Sequence, residues 1–191
     1  QSIATHPNNA DIVYIGAVNG GVWTTNNANA LQPVWTPLTA GLPSQSIGAI
    51  AFDPTDLGYQ TLIAGTGRLS SFAERGDDEV GIYRTVDGGS SWVQLGAPGP
   101  LLGRKIVAVV ARGAVLLAAT KDGGLYRSID TGANWLLISG TGNLPVGGNF
   151  DLVGDVGDLA RLYVAVRGAA PKILRSDDAG ASWIDITSGI T

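Results

Sequence analysis

Tyr83-Arg84-Thr85-Val86-Asp87-Gly88-Gly89-Ser90-Ser91-Trp92 aligns without a gap on two later stretches. These are Tyr126-Arg127-Ser128-Ile129-Asp130-Thr131-Gly132-Ala133-Asn134-Trp135 and Leu174-Arg175-Ser176-Asp177-Asp178-Ala179-Gly180-Ala181-Ser182-Trp183. The shared pattern is apolar, Arg, Ser or Thr, x, Asp, x, Gly, x, x, Trp. A degenerate fourth copy, Trp23-Thr24-Thr25-Asn26-Asn27, has Asn27 in the Asp position and three extra residues before Trp35. Trp35, Trp92, Trp135 and Trp183 are 57, 43 and 48 residues apart. Self-similarity at such a period marks a repeat architecture.

The flanks repeat as well. Two short apolar runs precede each copy: 3–4 and 12–16, 47–52 and 62–65, 106–110 and 115–120, 150–153 and 162–166. A short alternating piece follows each Trp, as in Trp92-Val93-Gln94-Leu95 and Trp183-Ile184-Asp185-Ile186. Each unit therefore reads as four short strands. Asn19-Gly20 and Asp122-Gly123 fall between the second and third strand of their units. As favoured type I′ dipeptides they predict two-residue hairpins with φ > 0 at both positions. The run 114–119 is apolar on both faces, which suits a strand between stacked sheets. Four-stranded units at this period are the pattern of β-propeller blades, and one blade alone cannot bury both its faces. The expected fold is all-β, with four blades at about 1–43, 44–100, 101–145 and 146–191 that form part of a larger propeller.

Composition agrees and excludes much else. Among 191 residues, 45% are hydrophobic and 15% charged, enough for a sizeable core. Gly numbers 28, about twice ordinary usage, which favours turns over long helices. A net charge of −4 argues against a nucleic-acid partner. There is no Cys, which rules out disulfides and thiolate chemistry, and His6 alone cannot make a multi-His metal site. No run approaches the roughly 18 apolar residues of a membrane helix, and the first residues lack the features of a signal peptide. With no Met even at position 1, the chain is expected to be a processed product or a piece of something longer.

The pattern Ser/Thr-x-Asp-x-Gly-x-x-Trp resembles the Asp-box, or BNR repeat. It stands here as Thr85, Asp87, Gly89 and Trp92, as Ser128, Asp130, Gly132 and Trp135, and as Ser176, Asp178, Gly180 and Trp183. The resemblance covers all four units. It implies an Asp-box propeller akin to sialidases, sortilin-type receptors and family 74 xyloglucanases, often secreted by bacteria. In that family the box lies in the turn between third and fourth strands, away from the catalytic face. The residues support the same structural role. The Asp accepts turn N–H groups, the Gly supplies φ > 0, and the Trp offers a large apolar body with one N–H for the backbone.

Catalytic residues of the family do not carry over. No Arg-Ile-Pro of the sialidase kind is present. Where the resemblance to xyloglucanases implies a catalytic Asp in a second-to-third strand turn, this chain has Asn19, in Val18-Asn19-Gly20-Gly21. The resemblance places the second catalytic carboxylate on another propeller domain. Arg84, Arg127 and Arg175 invite comparison with the Arg triad that holds a sialidase substrate's carboxylate. Their repeat-equivalent positions favour contacts between blades instead.

The feature peculiar to one unit is the long connection 66–80, where the other units turn in a few residues. Its candidate binding residues are Arg68, Phe72, Glu74, Arg75, Asp77, Asp78 and Glu79. Asp77, Asp78 and Glu79 are a candidate Ca²⁺ set, although their spacing matches no known calcium loop. No other cofactor is implied. Asp151, Asp155 and Asp158 read as turn residues. Two functions stay open: a non-catalytic binding or scaffold module of a secreted propeller, presenting loops to a protein or glycan, and a fragment of a glycoside hydrolase. Further blades or a second copy would cover the end faces.

Overall fold

A computed structural model describes residues 2–69, 71–168 and 170–189. Ser70, inside the long connection, and Ile190, at the end of the fourth unit, lie outside the described residues. The architecture is all-β, with four antiparallel four-stranded sheets, each built from consecutive strands. The first holds β1 (Ser2–Thr5), β2 (Val13–Ala17), β3 (Gly21–Thr25) and β4 (Thr36–Pro37). The second holds β5 (Ile47–Phe52), β6 (Leu62–Thr66), β7 (Ile82–Thr85) and β8 (Val93–Leu95). The third holds β9 (Ile106–Arg112), β10 (Val115–Thr120), β11 (Gly124–Ser128) and β12 (Leu136–Leu137). The fourth holds β13 (Asn149–Gly154), β14 (Leu162–Val166), β15 (Lys172–Ser176) and β16 (Ile184–Asp185). Among the described residues helix is confined to the single 3-10 turns Phe72–Glu74 and Thr187–Gly189.

The strands follow from their composition. Strands β6 and β10 lie between neighbouring sheets, and their Leu, Ile and Ala side chains are buried on both faces. The fourth strands are two or three residues long and mostly exposed, so each outer edge offers few unpaired backbone groups. The four first strands together line a cavity of about 320 Å³, with Ala4, Ile50, Val109 and Leu152 among its walls. They therefore form the inner side of the arc.

The cores lie between sheets rather than within them. One joins Tyr14 and Val22 of the first sheet to Ile47, Leu62 and Tyr83 of the second. Another joins Ile63 and Ile82 to Ile106, Leu116 and Tyr126. The third joins Val110 and Leu117 to Leu152, Val164 and Leu174. Among the described residues no core joins the fourth sheet to the first, so the sheets form an open arc.

The hairpin expectation is corrected. Both second-to-third connections are three-residue loops, closed by the pairs Ala17↔Gly21 and Thr120↔Gly124. Positive φ falls on Asn19 and Gly21 in the first, and on Gly124 in the second, but not on Gly20, Asp122 or Gly123. A three-residue loop places its left-handed residue late, and here the second glycine of each Gly-Gly pair takes that place. The dipeptide rule applied to the first glycine.

Candidate functional site

Three turns share one network. In the first, Thr85 Oγ1 donates to Asp87 Oδ1 at 2.7 Å, and the main-chain N–H of Ser91 donates to the same oxygen at 2.9 Å. Ser91 Oγ reaches Asp87 Oδ2 at 2.6 Å, and Gly89 N–H donates to Thr85 Oγ1 at 2.9 Å. Asp130 is held the same way by Ser128 and Asn134, and Asp178 by Ser176 and Ser182. Hydrogen bonds to the ionised carboxylates from Ser91 and Asn134 hold Asp87 and Asp130 down at about 2. For Asp178 burial pushes upward, but the bonds from Ser182 and Ser176 outweigh it and the carboxyl is lowered.

Gly132 and Gly180 adopt φ of 85° and 82°, and a Cβ on either would strike a leucine of the preceding sheet, Leu95 or Leu117. Glycine is thus required both by conformation and by sheet packing. Trp183 is buried, while Trp92 and Trp135 are partly so. The expected indole bond to the backbone is not made: all three Nε1 groups are buried without a hydrogen-bond partner. The tryptophans act through their apolar bodies. Each carboxylate accepts three hydrogen bonds, all from its own turn, as a scaffold role requires.

Arg84 and Arg127 lie at successive sheet interfaces and Arg175 on the outer face of the fourth sheet, so the row does not converge in one pocket. Arg127 Nε donates across to the carbonyl of Ala179, between Asp178 and Gly180, at 3.0 Å. Tyr14 makes the same kind of bond two interfaces earlier, its hydroxyl donating to Gly88 O at 2.9 Å. Arg84 Nε is buried with no partner, and Arg175 pairs with Asp177 at 3.0 Å. Of the fourth unit's acidic residues, Asp155 and Asp158 close turns, accepting from Gly157 N and Ala160 N, whereas Asp151, expected in a turn, lies within β13 opposite Ala165.

The long connection between β6 and β7 is a strapped loop. Thr66 Oγ1 closes its base, accepting from Val80 and Gly81 N–H and donating to Gly81 O. Inside it, Arg68 Nε meets the buried Glu79 carboxylate at 2.7 Å, and Arg68 Nη1 donates to Gly76 O. Toward the first sheet, Asp77 Oδ2 accepts from Gln45 N at 2.7 Å, and Asp77 N donates to Ser46 Oγ, which in turn donates to Asn19 Oδ1 at 3.2 Å. Toward the third sheet, the Glu74 carboxylate accepts from both Lys105 and Lys121. Those two ammonium groups hold Glu74 down at about 2, and Glu74 raises Lys105 in return. Ala73 and Glu74 sit at φ of 54° and 51°, a left-handed kink that brings the carboxylate to the lysines.

The seven residues singled out in this loop thus divide. Arg68, Glu74, Asp77 and Glu79 fasten it. Phe72, 90% exposed, Arg75 and Asp78 project outward with side chains engaged by none of the described residues. With Asp77 and Glu79 taken by main-chain and guanidinium donors, the acids do not converge as calcium ligands, and among the described residues no three metal-binding side chains do. The fastening partners Gln45, Ser46, Lys105 and Lys121 were not foreseen. The one available signal was Lys121's place in the matching turn of the next unit.

No family model matches the chain, and no curated protein does. Solved structures do. The family 74 xyloglucanase of Xanthomonas campestris superposes with a TM-score of 0.68 at 25% identity, covering 97% of this chain and 30% of that one. A family 74 enzyme of Niastella koreensis gives 0.66 at 23% identity, over 97% and 29%. YCF48 bound to a D1 peptide gives 0.54 at 15% identity, over 98% and 81%. The chain has a β-propeller fold. Its four sheets are blades, and the chain spans under a third of the length of either family 74 enzyme. No described helix is long and apolar enough to cross a membrane.

Proposed function

We propose that the chain is a non-catalytic binding arc of a secreted Asp-box propeller, with blades at about 1–43, 44–100, 101–145 and 146–191. Its strapped loop presents Phe72, Arg75 and Asp78 to a ligand. The observation that carries this reading is the division of labour in the loop, where four side chains fasten it and three are left free. A rigid loop loses little conformational entropy on binding. An exposed aromatic face, on a loop that also exposes one cation and one carboxylate, suits a sugar ring, with stacking on the ring face and hydrogen bonds at its edges. A glycan is therefore the preferred ligand and a protein the alternative. Likeness at 25% identity to a xyloglucanase supports a glycan. The repeated Thr/Ser–Asp–Gly network supports Asp-box membership.

The test is calorimetric titration of the chain with xyloglucan oligosaccharides. Binding that falls at least tenfold in Phe72→Ala, with circular dichroism unchanged, is the expected result. Affinity unaffected by Phe72→Ala, Arg75→Ala and Asp78→Ala would remove the loop from the site. A second reading, also favoured by the xyloglucanase likeness, is a piece of a glycoside hydrolase whose carboxylates lie on other blades.

A further inference from the structure

Cations gather where the strapped loop meets the turns of the third and fourth blades. Lys105 and Lys121 share the Glu74 carboxylate, and Lys121 N–H donates to Lys105 O at 2.9 Å. Arg167 is exposed, and its Nη2 donates to Lys121 O at 3.0 Å. Arg104 lies across the same turn, since a Cβ on Gly123 would sit 3.0 and 3.1 Å from its Cδ and Nε. The Arg104 guanidinium is partly exposed and makes no hydrogen bond or ion pair with a described residue. The carboxylates that act on Lys105 are Glu74, Glu79 and Asp122, and Glu79 is itself taken by Arg68. Four cations at this seam are thus balanced by Glu74 and Asp122, which leaves a positive surplus in a chain whose net charge is −4. The seam adjoins the aromatic anchor. Glu74 ends the 3-10 turn Phe72–Glu74, so the exposed Phe72 ring stands two residues from the carboxylate that the lysines hold.

We propose that the strapped loop takes an acidic glycan, a chain of uronic acids with one ring stacked on Phe72 and a carboxylate received by Arg104 beside Lys105 and Lys121. This rests on the reading of the loop as a glycan site and names the class of glycan. Stacking on an aromatic face needs only the face of the ring and is indifferent to charge. The seam adds a sign. Hydrogen bonds from Lys105 and Lys121 already hold the Glu74 carboxyl down at about 2, so the cluster stabilises one carboxylate within the fold. Arg104 offers a planar fork that matches a carboxylate with two parallel hydrogen bonds. A uronic acid carries its carboxylate directly on the ring and repeats it in each unit. A chain with one ring on Phe72 therefore carries further carboxylates to either side of it. A neutral glycan uses the ring face alone.

Calorimetric titration with trigalacturonate and with its methyl ester, which differ in charge and little else, tests the inference. The acid should bind about tenfold more tightly than the ester, the product of two exposed ion pairs. Raising the salt from about 0.1 to about 1 M, which shortens the screening length from about 10 to about 3 Å, should abolish most of that preference. Arg104→Gln, with circular dichroism unchanged, should cut the preference to about threefold, the loss of one such pair. Phe72→Ala should weaken the acid and the ester together. Equal affinity for acid and ester overturns the inference, as does a preference that Arg104→Gln or high salt leaves intact. If neutral xyloglucan oligosaccharides bind through Phe72 and trigalacturonate does not, the inference alone falls. If no glycan binds, the reading of the loop as a glycan site falls with it.

Discussion

Asp87 and Asp130 each do for a turn what a helix cap does for a helix end. They neutralise local N–H groups that would otherwise be stranded. The carboxylates must be ionised to accept all their bonds, which is why they titrate at about 2 rather than near the ordinary 3.8. Their folded values lie below their unfolded ones, so their contribution to stability is complete above about pH 4 and is lost as pH falls toward 2. The melting temperature should be level above pH 5 and fall steeply between pH 4 and 2. Asp130→Ala should melt about 2–4 °C below wild type at pH 7, a shift typical of one modest lost interaction in a chain of this length. It should also show a shallower acid slope. Calorimetric scans from pH 2 to 7 check both, and coincident curves for the two proteins would mean the network contributes nothing. This role could be read from the sequence, because Asp, Gly and the hydroxyl lie within four residues of one another. The idle indole N–H could not, because it depends on how closely the neighbouring blade's backbone approaches. At Trp135 the Nε1 edge faces Gly96 so tightly that a Cβ there would lie 3.1 Å away.

The strapped loop shows where a linear reading stops. Its length and its singular place among four repeats were plain, and they marked it as functional. Which residues fasten it was not, because the partners lie far off in sequence: Lys105 and Lys121 are 31 and 47 residues from Glu74. The Asn19-Gly20 hairpin failed for a nearer cause, since the third loop residue and the second glycine reset the turn. Glu74 is solvent-reached, so its ion pairs order the loop without adding much to global stability. Glu74→Gln should therefore leave the melting temperature within about 2 °C, by the same scaling for a chain of this size. It should also speed amide exchange across 71–76, where 1 M salt does the same to wild type because screening then acts within about 3 Å. Hydrogen–deuterium exchange followed by mass spectrometry reads both effects. Unchanged exchange in the variant would show that the lysines are bystanders.

At the scale of the whole molecule, four blades were legible because a ten-residue pattern repeats in register, and every copy carries its own two apolar runs. Chemistry is a different matter, since it depends on which carboxylates remain free. Glycoside hydrolysis of the common kinds needs two, about 5–9.5 Å apart, one to protonate the leaving oxygen and one to attack or activate water. Only two Glu exist here, and both are committed: Glu79 to Arg68, and Glu74 to Lys105 and Lys121. A carboxyl held near 2 by two ammonium groups cannot serve as a general acid at neutral pH. Asp77 accepts a main-chain N–H, which leaves Asp78 as the loop's one acid with no described partner. In the turn where the xyloglucanase resemblance calls for Asp, Asn19 has an amide oxygen that accepts Ser46 Oγ, and an amide neither gives nor takes the needed proton. The purified 191-residue chain should accordingly release no reducing sugar from a xyloglucan or sialoside panel, even where it binds the polymer. Turnover that vanishes on replacing Asp78 would overturn that expectation and put a working carboxylate on the strapped loop.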